Sequence, residues 1–586
     1  MTFINRTYAQ HKARLLDLLK TYFPNIFVNI QETSPEMGFV ELLAYTVDVL
    51  SFNQDVVFSE TQLKYAQEIE NIYSILQNNF GVQPNIVSAA HCKLAISQLV
   101  PAINNEPDWR YALNIDTLVV SSNNNPLVQF NVPFGVDFNV DDERKVEIFS
   151  EDANTNDVLF YIVTKTVDAV SGYEKETEFQ ITSAEKYKTL SITDDNIIEI
   201  VSVFDASGNQ WYEVPTLAVD RILTSVPNEN FNYNSQETMP YFLKYQKVNR
   251  RFETVRKNNE TIELTFGSGQ NVSQTFALNE YNILSQSGSI NASDTDFISN
   301  NVFGVIPENT TLTVTYRVGN GMEDNVGVGE LNQISYVTFD ETFNTNTNEQ
   351  LLNTIKQSLT VNNTNIATGG DMIEDSNILK SYGIGSYTTN ERLVTTDDYH
   401  NIVLAMPNKY GRVVKSFVKR QDNNQLGLDL YVLCYDSNRN FIAPNSNINA
   451  NLKSWLTTKR ILTDGITIKS AYIINIGVYI EISALPNFNP QSVLYDCLYT
   501  LKTLLSNDNM HINVPINISK LKVELDKVQG VQTVSKLSFS NKYGGNYSNV
   551  KYNVQTATVS NIMYPAKNPS VFEVKYPNID ITGKVV

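Results

Sequence analysis

The stretch "SPEMGFVELLAYTVDVLSFNQDVVFSE", Ser34 to Glu60, contains fourteen residues of the apolar set AVILMFWYC, five acidic residues and no basic residue. Ser34 can cap the free amides of a helix N-terminus, Pro35 suits the first helical position, and Glu36 favours the positive end of the helix dipole. The stretch therefore predicts one unbroken helix, roughly 40 Å long at the usual rise per residue.

The apolar side chains of this helix cover more than half of its circumference when successive residues are placed 100° apart. Its acidic residues Glu41, Asp48 and Asp55 share one narrow ridge. A surface helix normally packs a stripe only about 100° wide against its own core, so this helix needs cover from more than one side. Either the rest of this chain or helices of other chains can supply that cover.

The neighbouring sequence is also helical by period. Asn5 to Phe23 and Gln67 to Phe80, closed by Gly81 and Pro84, complete a helical, bundle-forming segment over residues 1–86. We expect these helices to bundle with helices of other chains. The residues predicted to form that protein interface are Phe39, Leu42, Leu43, Val47, Val49, Leu50, Val57, Ile72 and Leu76.

The length and composition favour a globular protein of several domains. A chain of 586 residues exceeds what one core can hold and predicts three or four domains. The longest apolar run, Ala471 to Leu485, is interrupted by Asn475 and Glu481, so no membrane span is expected. The opening MTFINRTYAQ lacks an apolar signal core, and three cysteines at unrelated spacings indicate a reducing cytoplasm.

The charge balance argues against nucleic acid as a partner. The chain has 44 basic and 63 acidic residues, a net charge of −19. Contact with phosphates needs a basic face, which this composition does not supply. The acidic excess is spread along the chain and is typical of a solvated surface.

The pattern after the helical segment predicts an α+β multidomain fold. Residues 87–345 alternate β-branched and aromatic runs with turns, including hairpins around Ser207-Gly208-Asn209 and Lys257-Asn258-Asn259. Residues 346–540 alternate helices and strands, as small α/β, sandwich-like domains with a candidate self-association surface. Residues 541–586 predict short strands or an extended arm.

The strand "SAYIINIGVYIEISAL", Ser470 to Leu485, is the most apolar strand of the α/β region. Its poor alternation is typical of a strand covered on both faces. Two interpretations stay open for it: a surface that a second copy completes, or the central core strand of its own domain.

Candidate chemistry is weak throughout the sequence, and no catalytic, cofactor-binding or metal-binding residue is predicted. His91-Cys92 lacks a second ligand pair at zinc spacing. His400 follows Asp397 and Asp398, whose carboxylates a helix cap explains without catalysis, with Thr395 and Asp398 as a capping box.

Two further motifs fail where their geometry is most demanding. The run from Asp436 imitates a calcium loop but places Phe441 at the glycine position, so it predicts a turn. The glycine-rich loop from Gly319 to Gly329 lacks the Gly-Lys-Ser/Thr of a phosphate loop and predicts a turn-rich connection.

The opening stretch, followed by "AQEIENIYSIL" and "FGVQP", resembles the N-terminal signature of baseplate J-like wedge proteins of contractile phage tails. Further stretches resemble the family in the same order: "DASGNQWYEVPTL", "RRFETVRKNNETIELTFGSG", "IPENTTLTVTYRVGNG" and "TGGDMIEDSNILKSYGIGSYTTNERLVTTDDYHNIVLAM". The residues that match the N-terminal pattern are Leu42, Leu43, Ala44, Tyr45, Asp48, Phe52, Asp55 and Glu60.

This resemblance implies a structural protein of the virion, assembled in the host cytoplasm and located in the tail baseplate. The implied subunit occurs twice per wedge, joins one copy of a second wedge protein, contacts neighbouring wedge and hub proteins, and links wedges into a ring around the hub. It would associate with itself as a homodimer and pass on conformational change during contraction. The sequence departs from the family in a shorter β-rich middle and in the tail after Tyr543, which does not align.

Two functions of other classes remain open as alternatives. A tail-associated glycan-cleaving enzyme would use paired carboxylates, but no β-helix repeat is visible and the N-terminal helices would be unexplained. A receptor-binding adhesin would form a trimer.

Overall fold

The computed structural model of the chain describes residues 7–23, 34–83, 86–140, 144–152, 157–227, 241–258, 260–269, 303–340, 347–373, 376–389, 392–421, 424–461, 463–566 and 568–586. The chain divides into two units. The first, which we call the helical unit, comprises Met1–Pro84, Val255–Asn258 and Asp375–Tyr387. The second, the β-rich body, comprises Asn85–Thr254, Asn259–Glu374 and Thr388–Val586. The fold is α+β and multidomain, as the sequence predicts.

The described residues form both helices and strands. The helices are α1 (Tyr8–Tyr22), α2 (Pro35–Glu60), α3 (Ile69–Phe80), α4 (Glu349–Gln357), α5 (Ser376–Thr389), α6 (Thr396–Leu404), α7 (Ser446–Thr457), α8 (Pro490–Leu504), α9 (Ile518–Asp526), α10 (Val554–Ala557) and α11 (Pro577–Asp580). The strands before residue 340 are β1 (Val87–Ser88), β2 (His91–Ile103), β3 (Glu106–Pro107), β4 (Asn114–Ser122), β5 (Gln129–Asn131), β6 (Val136–Asp137), β7 (Lys145–Glu151), β8 (Val158–Ser171), β9 (Tyr173–Ile181), β10 (Thr189–Thr193), β11 (Ile197–Asp205), β12 (Gln210–Glu213), β13 (Arg221–Pro227), β14 (Tyr241–Lys247), β15 (Arg251–Arg256), β16 (Thr261–Phe266), β17 (Thr310–Val318) and β18 (Leu331–Phe339). The later strands are β19 (Thr360–Asn363), β20 (Asp371–Met372), β21 (Lys415–Gln421), β22 (Asn424–Tyr435), β23 (Phe441–Ile442), β24 (Gly465–Ser470), β25 (Tyr472–Ala484), β26 (Ile516–Asn517), β27 (Val531–Lys542), β28 (Thr558–Val559), β29 (Ile562–Met563), β30 (Ser570–Glu573) and β31 (Ile581–Val585).

The long predicted helix of the helical unit is present as α2. The Ser34 Oγ accepts a hydrogen bond from the Met37 amide at 3.3 Å, and Pro35 stands at the first helical position. Both features are the helix start signals predicted from the sequence.

Helix α1 begins at Tyr8, whereas the sequence predicts a helix from Asn5, which lies outside the described residues.

Helix α3 supplies the small core of the helical unit. Its C-terminus is closed by Gly81 in the left-handed region at φ +66°. A Cβ atom at Gly383 of α5 would lie 2.0 Å from Cδ2 of Leu76, so a larger residue there would require the Leu76 side chain to move. The rings of Phe80 and Tyr387 meet edge to face at 5.1 Å. The buried residues of this core are Leu63, Ala66, Ile72, Ile75 and Leu76.

A nine-stranded sheet begins the β-rich body. Its main order is β18-β4-β5-β8-β2-β19, with β3, β6 and β7 paired at its sides. Strand β2 alternates buried and half-buried residues, as a strand with one face on a core does. Asn363 joins β19 to the start of β18, because its Oδ1 accepts from the Leu331 amide at 3.0 Å and its Nδ2 donates to the Gly327 carbonyl at 2.8 Å.

A seven-stranded sheet of order β10-β16-β15-β12-β11-β17-β9 has a core of its own. The predicted hairpin at Ser207-Gly208-Asn209 is confirmed, since β11 and β12 pair antiparallel with Val203 opposite Trp211. In the second predicted hairpin, β15 and β16 are neighbours in the sheet, and Asn259 lies outside the described residues.

Two α/β layers follow, as predicted. In the first, β21 and β22 pair antiparallel and share a core with α6 and α7. In the second, α8 and α9 share a core with β25 and β27, and β30 and β31 from the predicted C-terminal arm pair with β25.

Strand β25 resolves the two interpretations of the stretch Ser470 to Leu485. It pairs with β27 along one edge and with β30 and β31 along the other. Ile474, Ile476 and Ile480 are fully buried. The central core strand is therefore the correct interpretation, and this strand offers no edge for a second copy.

Asparagine side chains connect the first sheet to the α/β layers within the β-rich body. Asn445 Nδ2 donates to the His91 carbonyl at 2.6 Å, and Asn447 Nδ2 donates to the Cys92 carbonyl at 2.8 Å. These bonds add side-chain donors to buried carbonyls at the start of β2, and the His91 carbonyl also accepts from the Thr368 amide at 3.1 Å.

Among the described residues, no helix is long and apolar enough to cross a membrane.

The pH dependence of stability provides a test of this connection. His91 is buried, its Nε2–H donates to the Lys409 carbonyl at 2.9 Å, and burial lowers the His91 pKa to about 4. The unfolded chain has a His pKa of about 6.5, so it binds the proton first as the pH falls from 6.5 to 4. We expect His91 to contribute a loss of about 2 kcal/mol in the free energy of unfolding between pH 7 and pH 5.

Denaturant unfolding of wild type and His91→Gln at both pH values measures this loss. The glutamine amide can still donate a hydrogen bond but does not titrate, so the variant should lose less stability than wild type. Equal losses in the two proteins would contradict a neutral, buried His91.

Candidate docking surface on helix α2

Helix α2 buries only one narrow side. Its buried residues recur at intervals of three, four and seven, which places them on a single stripe of a helix: Met37, Val40, Ala44, Ser51 and Asp55. Helix α1 packs against α2, and Lys12 of α1 forms an ion pair with Glu41 of α2 at 2.7 Å. The buried stripe of α2 therefore contains two polar residues, Ser51 and Asp55, together with three apolar ones.

The wide apolar arc of α2 faces solvent. Phe39 has 70% of its surface exposed and Leu42 has 62%. Soluble proteins rarely expose so many large apolar side chains side by side, and such surfaces mark sites of protein association. We call this set the α2 apolar face; it consists of Phe39, Leu42, Leu43, Tyr45, Val47, Val49, Leu50, Phe52, Val56, Val57 and Phe58.

The acidic ridge is the less exposed side of the helix. Asp55 is buried, Glu41 is engaged by Lys12, and Asp48 is half-buried. Helix α1 carries several basic residues, among them Lys12, Arg14 and Lys20, and one acidic residue, Asp17. The ion pair between Lys12 and Glu41 lies on this ridge, and turning the ridge inward leaves the apolar arc outside.

The structure brings seven of the nine predicted interface residues onto the α2 apolar face, all of them exposed: Phe39, Leu42, Leu43, Val47, Val49, Leu50 and Val57. Ile72 and Leu76 are different, because both are buried in the core of the helical unit. Their inclusion needs correction: a periodic apolar stripe on α3 packs inside the unit and presents no side chain to a partner. Tyr45, Phe52, Val56 and Phe58 belong to the face but are absent from the prediction.

Glu60 holds the turn between α2 and α3. Its carboxylate accepts hydrogen bonds from the Gln67 amide at 2.9 Å and from Asn71 Nδ2 at 3.1 Å. Burial alone raises the Glu60 pKa, but the hydrogen bonds from Gln67, Asn71 and Glu68 outweigh it and hold this pKa below its usual value. The acid at the end of the predicted signature therefore orients α3 against α2.

The other candidate residues have structural roles in the described part of the chain. Thr395 and Asp398 form the predicted capping box, with the Asp398 carboxylate accepting from the Thr395 amide at 2.8 Å. His400 Nδ1 lies 2.6 Å from the Ser416 Oγ, and burial lowers the His400 pKa. The Asp436 carboxylate closes the predicted turn by accepting from the Asn440 amide at 2.8 Å.

No metal centre is found among the residues that the structure describes, where no group of three or more His, Cys, Asp or Glu side chains is placed to hold an ion. The three cysteines, Cys92, Cys434 and Cys497, are free and buried. The α2 apolar face is therefore the most distinctive candidate site.

Comparison with known proteins gives little further guidance. No protein-family model matches the sequence, and no curated protein matches it. Among solved structures, the chain is similar to a chain of the anti-feeding prophage (AFP) baseplate, determined by cryo-EM and 6-fold symmetrised. The identity is 9%, the match covers 96% of this chain and 90% of that chain, and the TM-score is 0.27.

Two adjacent substitutions test the orientation of α2. Leu43 is 55% exposed, whereas Ala44 is fully buried. Leu43→Asp should leave the stability of the isolated chain within about 0.5 kcal/mol of wild type, because its new carboxylate stays in water. Ala44→Asp should destabilise the helical unit by several kcal/mol, because it buries a charge.

Thermal unfolding followed by circular dichroism measures both effects. A large loss for Leu43→Asp would show that the apolar arc is covered by the chain itself.

Proposed function

We propose that this chain is a structural subunit of the baseplate of a contractile phage tail. In this role it forms part of a wedge and links wedges into a ring around the hub, and it passes on conformational change when the tail contracts. It functions in the virion tail after assembly in the host cytoplasm. The role is one of binding and force transmission rather than catalysis.

The exposure of the α2 apolar face is the observation that carries this proposal. Burying apolar surface contributes about 25 cal/mol per Å² of free energy. Covering a face of eleven large or β-branched side chains would therefore be strongly favourable. An enzyme or an adhesin has no evident need for such a helix. A structural subunit whose α2 apolar face is covered only after assembly would account for this exposure.

The proposed partner is a second wedge protein that supplies one or more amphipathic helices. A helix laid against α2 would place its own apolar residues between those of α2 at the usual spacing of packed helices, 8–10 Å between axes. Because two copies of this chain would join one copy of that partner, the same face would be used in two unlike positions. The resemblance of the Ser34 to Glu60 stretch to wedge proteins supports this arrangement.

Point substitutions on the face test the proposal more sharply than removal of the N-terminal helices, since Leu76 packs against Gly383 in the same unit. Leu43→Asp combined with Val57→Asp should reduce co-purification of the co-expressed second wedge protein at least tenfold. Two charges in a desolvated interface are expected to cost several kcal/mol of binding.

Leu127→Asp is the matched control, because Leu127 is also highly exposed but lies in a turn of the β-rich body. It should leave co-purification at the wild-type level. Full capture of the second wedge protein by the double variant would contradict docking through α2.

A second prediction concerns the non-catalytic role. His400→Ala, and joint substitution of Asp397 and Asp398 by alanine, should leave tail assembly intact. The aspartate changes remove the capping box and should cost only about 1 kcal/mol of stability. Assays of tail assembly and of glycan cleavage check this, and glycan cleavage by wild type that one carboxylate change abolishes would overturn it.

A further inference from the structure

Strand β7, "KVEIFSE" from Lys145 to Glu151, is an edge strand of the nine-stranded sheet. It pairs antiparallel with β8 and, within the described residues, with no other strand. Six of its seven residues are exposed, including Val146, Ile148 and Phe149. A strand normally covers at least one of its faces, and an exposed apolar edge is a template for pairing with another chain.

The ladder between β7 and β8 is regular from Lys145 to Ile148 and irregular beyond it. Lys145 to Ile148 stand opposite Thr164 to Tyr161 of β8, and the register then shifts at Ser150. A second shift follows before Glu151, which stands opposite Val158. The two shifts cancel, so Glu151 returns to the register of Lys145 and lies on the same face of the sheet.

The charges of β7 are complementary to those of a second, antiparallel β7. We propose that two copies of this chain pair their β7 strands about a two-fold axis at Ile148, which joins their sheets edge to edge. In this register Lys145 of each copy stands opposite Glu151 of the other, so the axis creates two opposite-charge pairs. Ile148 of one copy stands opposite Ile148 of the other. Across the same axis, Val146 stands opposite Ser150 of the other copy, and Glu147 stands opposite Phe149 of the other copy.

A second copy fits this edge because the strand is complementary to itself in one direction only. Parallel pairing in register would set Lys145 beside Lys145 and Glu151 beside Glu151, which is unfavourable. The antiparallel arrangement is isologous and closed, so it ends at a dimer and leaves no further copy of this edge exposed.

This pairing deepens the proposed function by naming where the two copies of the subunit meet. It involves the β-rich body only and is independent of the α2 apolar face. The purified full-length chain, without other tail proteins, therefore tests it separately from docking through α2.

Sedimentation velocity at micromolar concentration measures the dissociation constant of the dimer. Lys145→Glu and Glu151→Lys each place like charges opposite one another twice and should each raise that constant roughly tenfold. The double variant Lys145→Glu/Glu151→Lys restores opposite charges at both positions and should bring the constant back to within about twofold of wild type.

Glu147→Lys is the matched control. It makes the same charge change on the same strand, but its cross-strand neighbour is Phe149, so the dissociation constant should change less than about threefold. Circular dichroism should show that all four variants fold like wild type, because the three positions are exposed.

Three results would overturn the proposal. They are a wild-type chain that is monomeric at this concentration, a dimer that Lys145→Glu does not weaken, and single variants that are weakened but not rescued in the double variant. Weakening by Glu147→Lys as large as that by Glu151→Lys would contradict the register centred on Ile148.

Discussion

Helix α2 has one polar side and one wide apolar side, and only one of them can face α1. Lys12 of α1 pairs with Glu41, and Asp55 is buried, so the acidic side is turned inward. A half-exposed ion pair contributes at most about 1 kcal/mol by itself. The orientation matters more than the energy of this one ion pair. When the acidic side of α2 faces inward, the α2 apolar face lies in solvent.

This orientation leaves an unusually large apolar surface in solvent. The hydrophobic effect opposes it, and cover by a partner, as proposed above, would offset the cost. The β-rich body is built from sheets with polar contacts between them. Its sheets are connected by buried asparagine bonds such as Asn447 to the Cys92 carbonyl, which fix one relative placement of β2 and α7.

Local features of the sequence predict much of this fold. Ser34 and Pro35 mark the start of α2, Gly81 marks the end of α3, and the turn at Gly208 marks a hairpin, because each depends only on neighbouring backbone geometry. The orientation of α2 is not local, since it depends on which side α1 covers. For the same reason periodicity correctly identifies an apolar stripe on α3 but cannot say that Ile72 and Leu76 lie inside the unit.

Long-range polar contacts are also invisible in the sequence. The bond from Asn447 to the Cys92 carbonyl joins residues more than 350 positions apart. The sequence around Asn447 contains no pattern that predicts it. The poor alternation of β25 indicates burial on both faces, yet only the pairing with β27, β30 and β31 shows that its edges are filled too. The exposed edge at β7 likewise depends on which strands are neighbours.

We infer that the α2 apolar face is open in the isolated chain and covered after assembly. Thiol labelling of a Leu50→Cys variant tests it directly, because the three native cysteines are buried and should react slowly. The introduced thiol should react rapidly in the isolated chain and be strongly protected in the assembled tail. Slow labelling in the isolated chain, or equally rapid labelling in both states, would contradict the account.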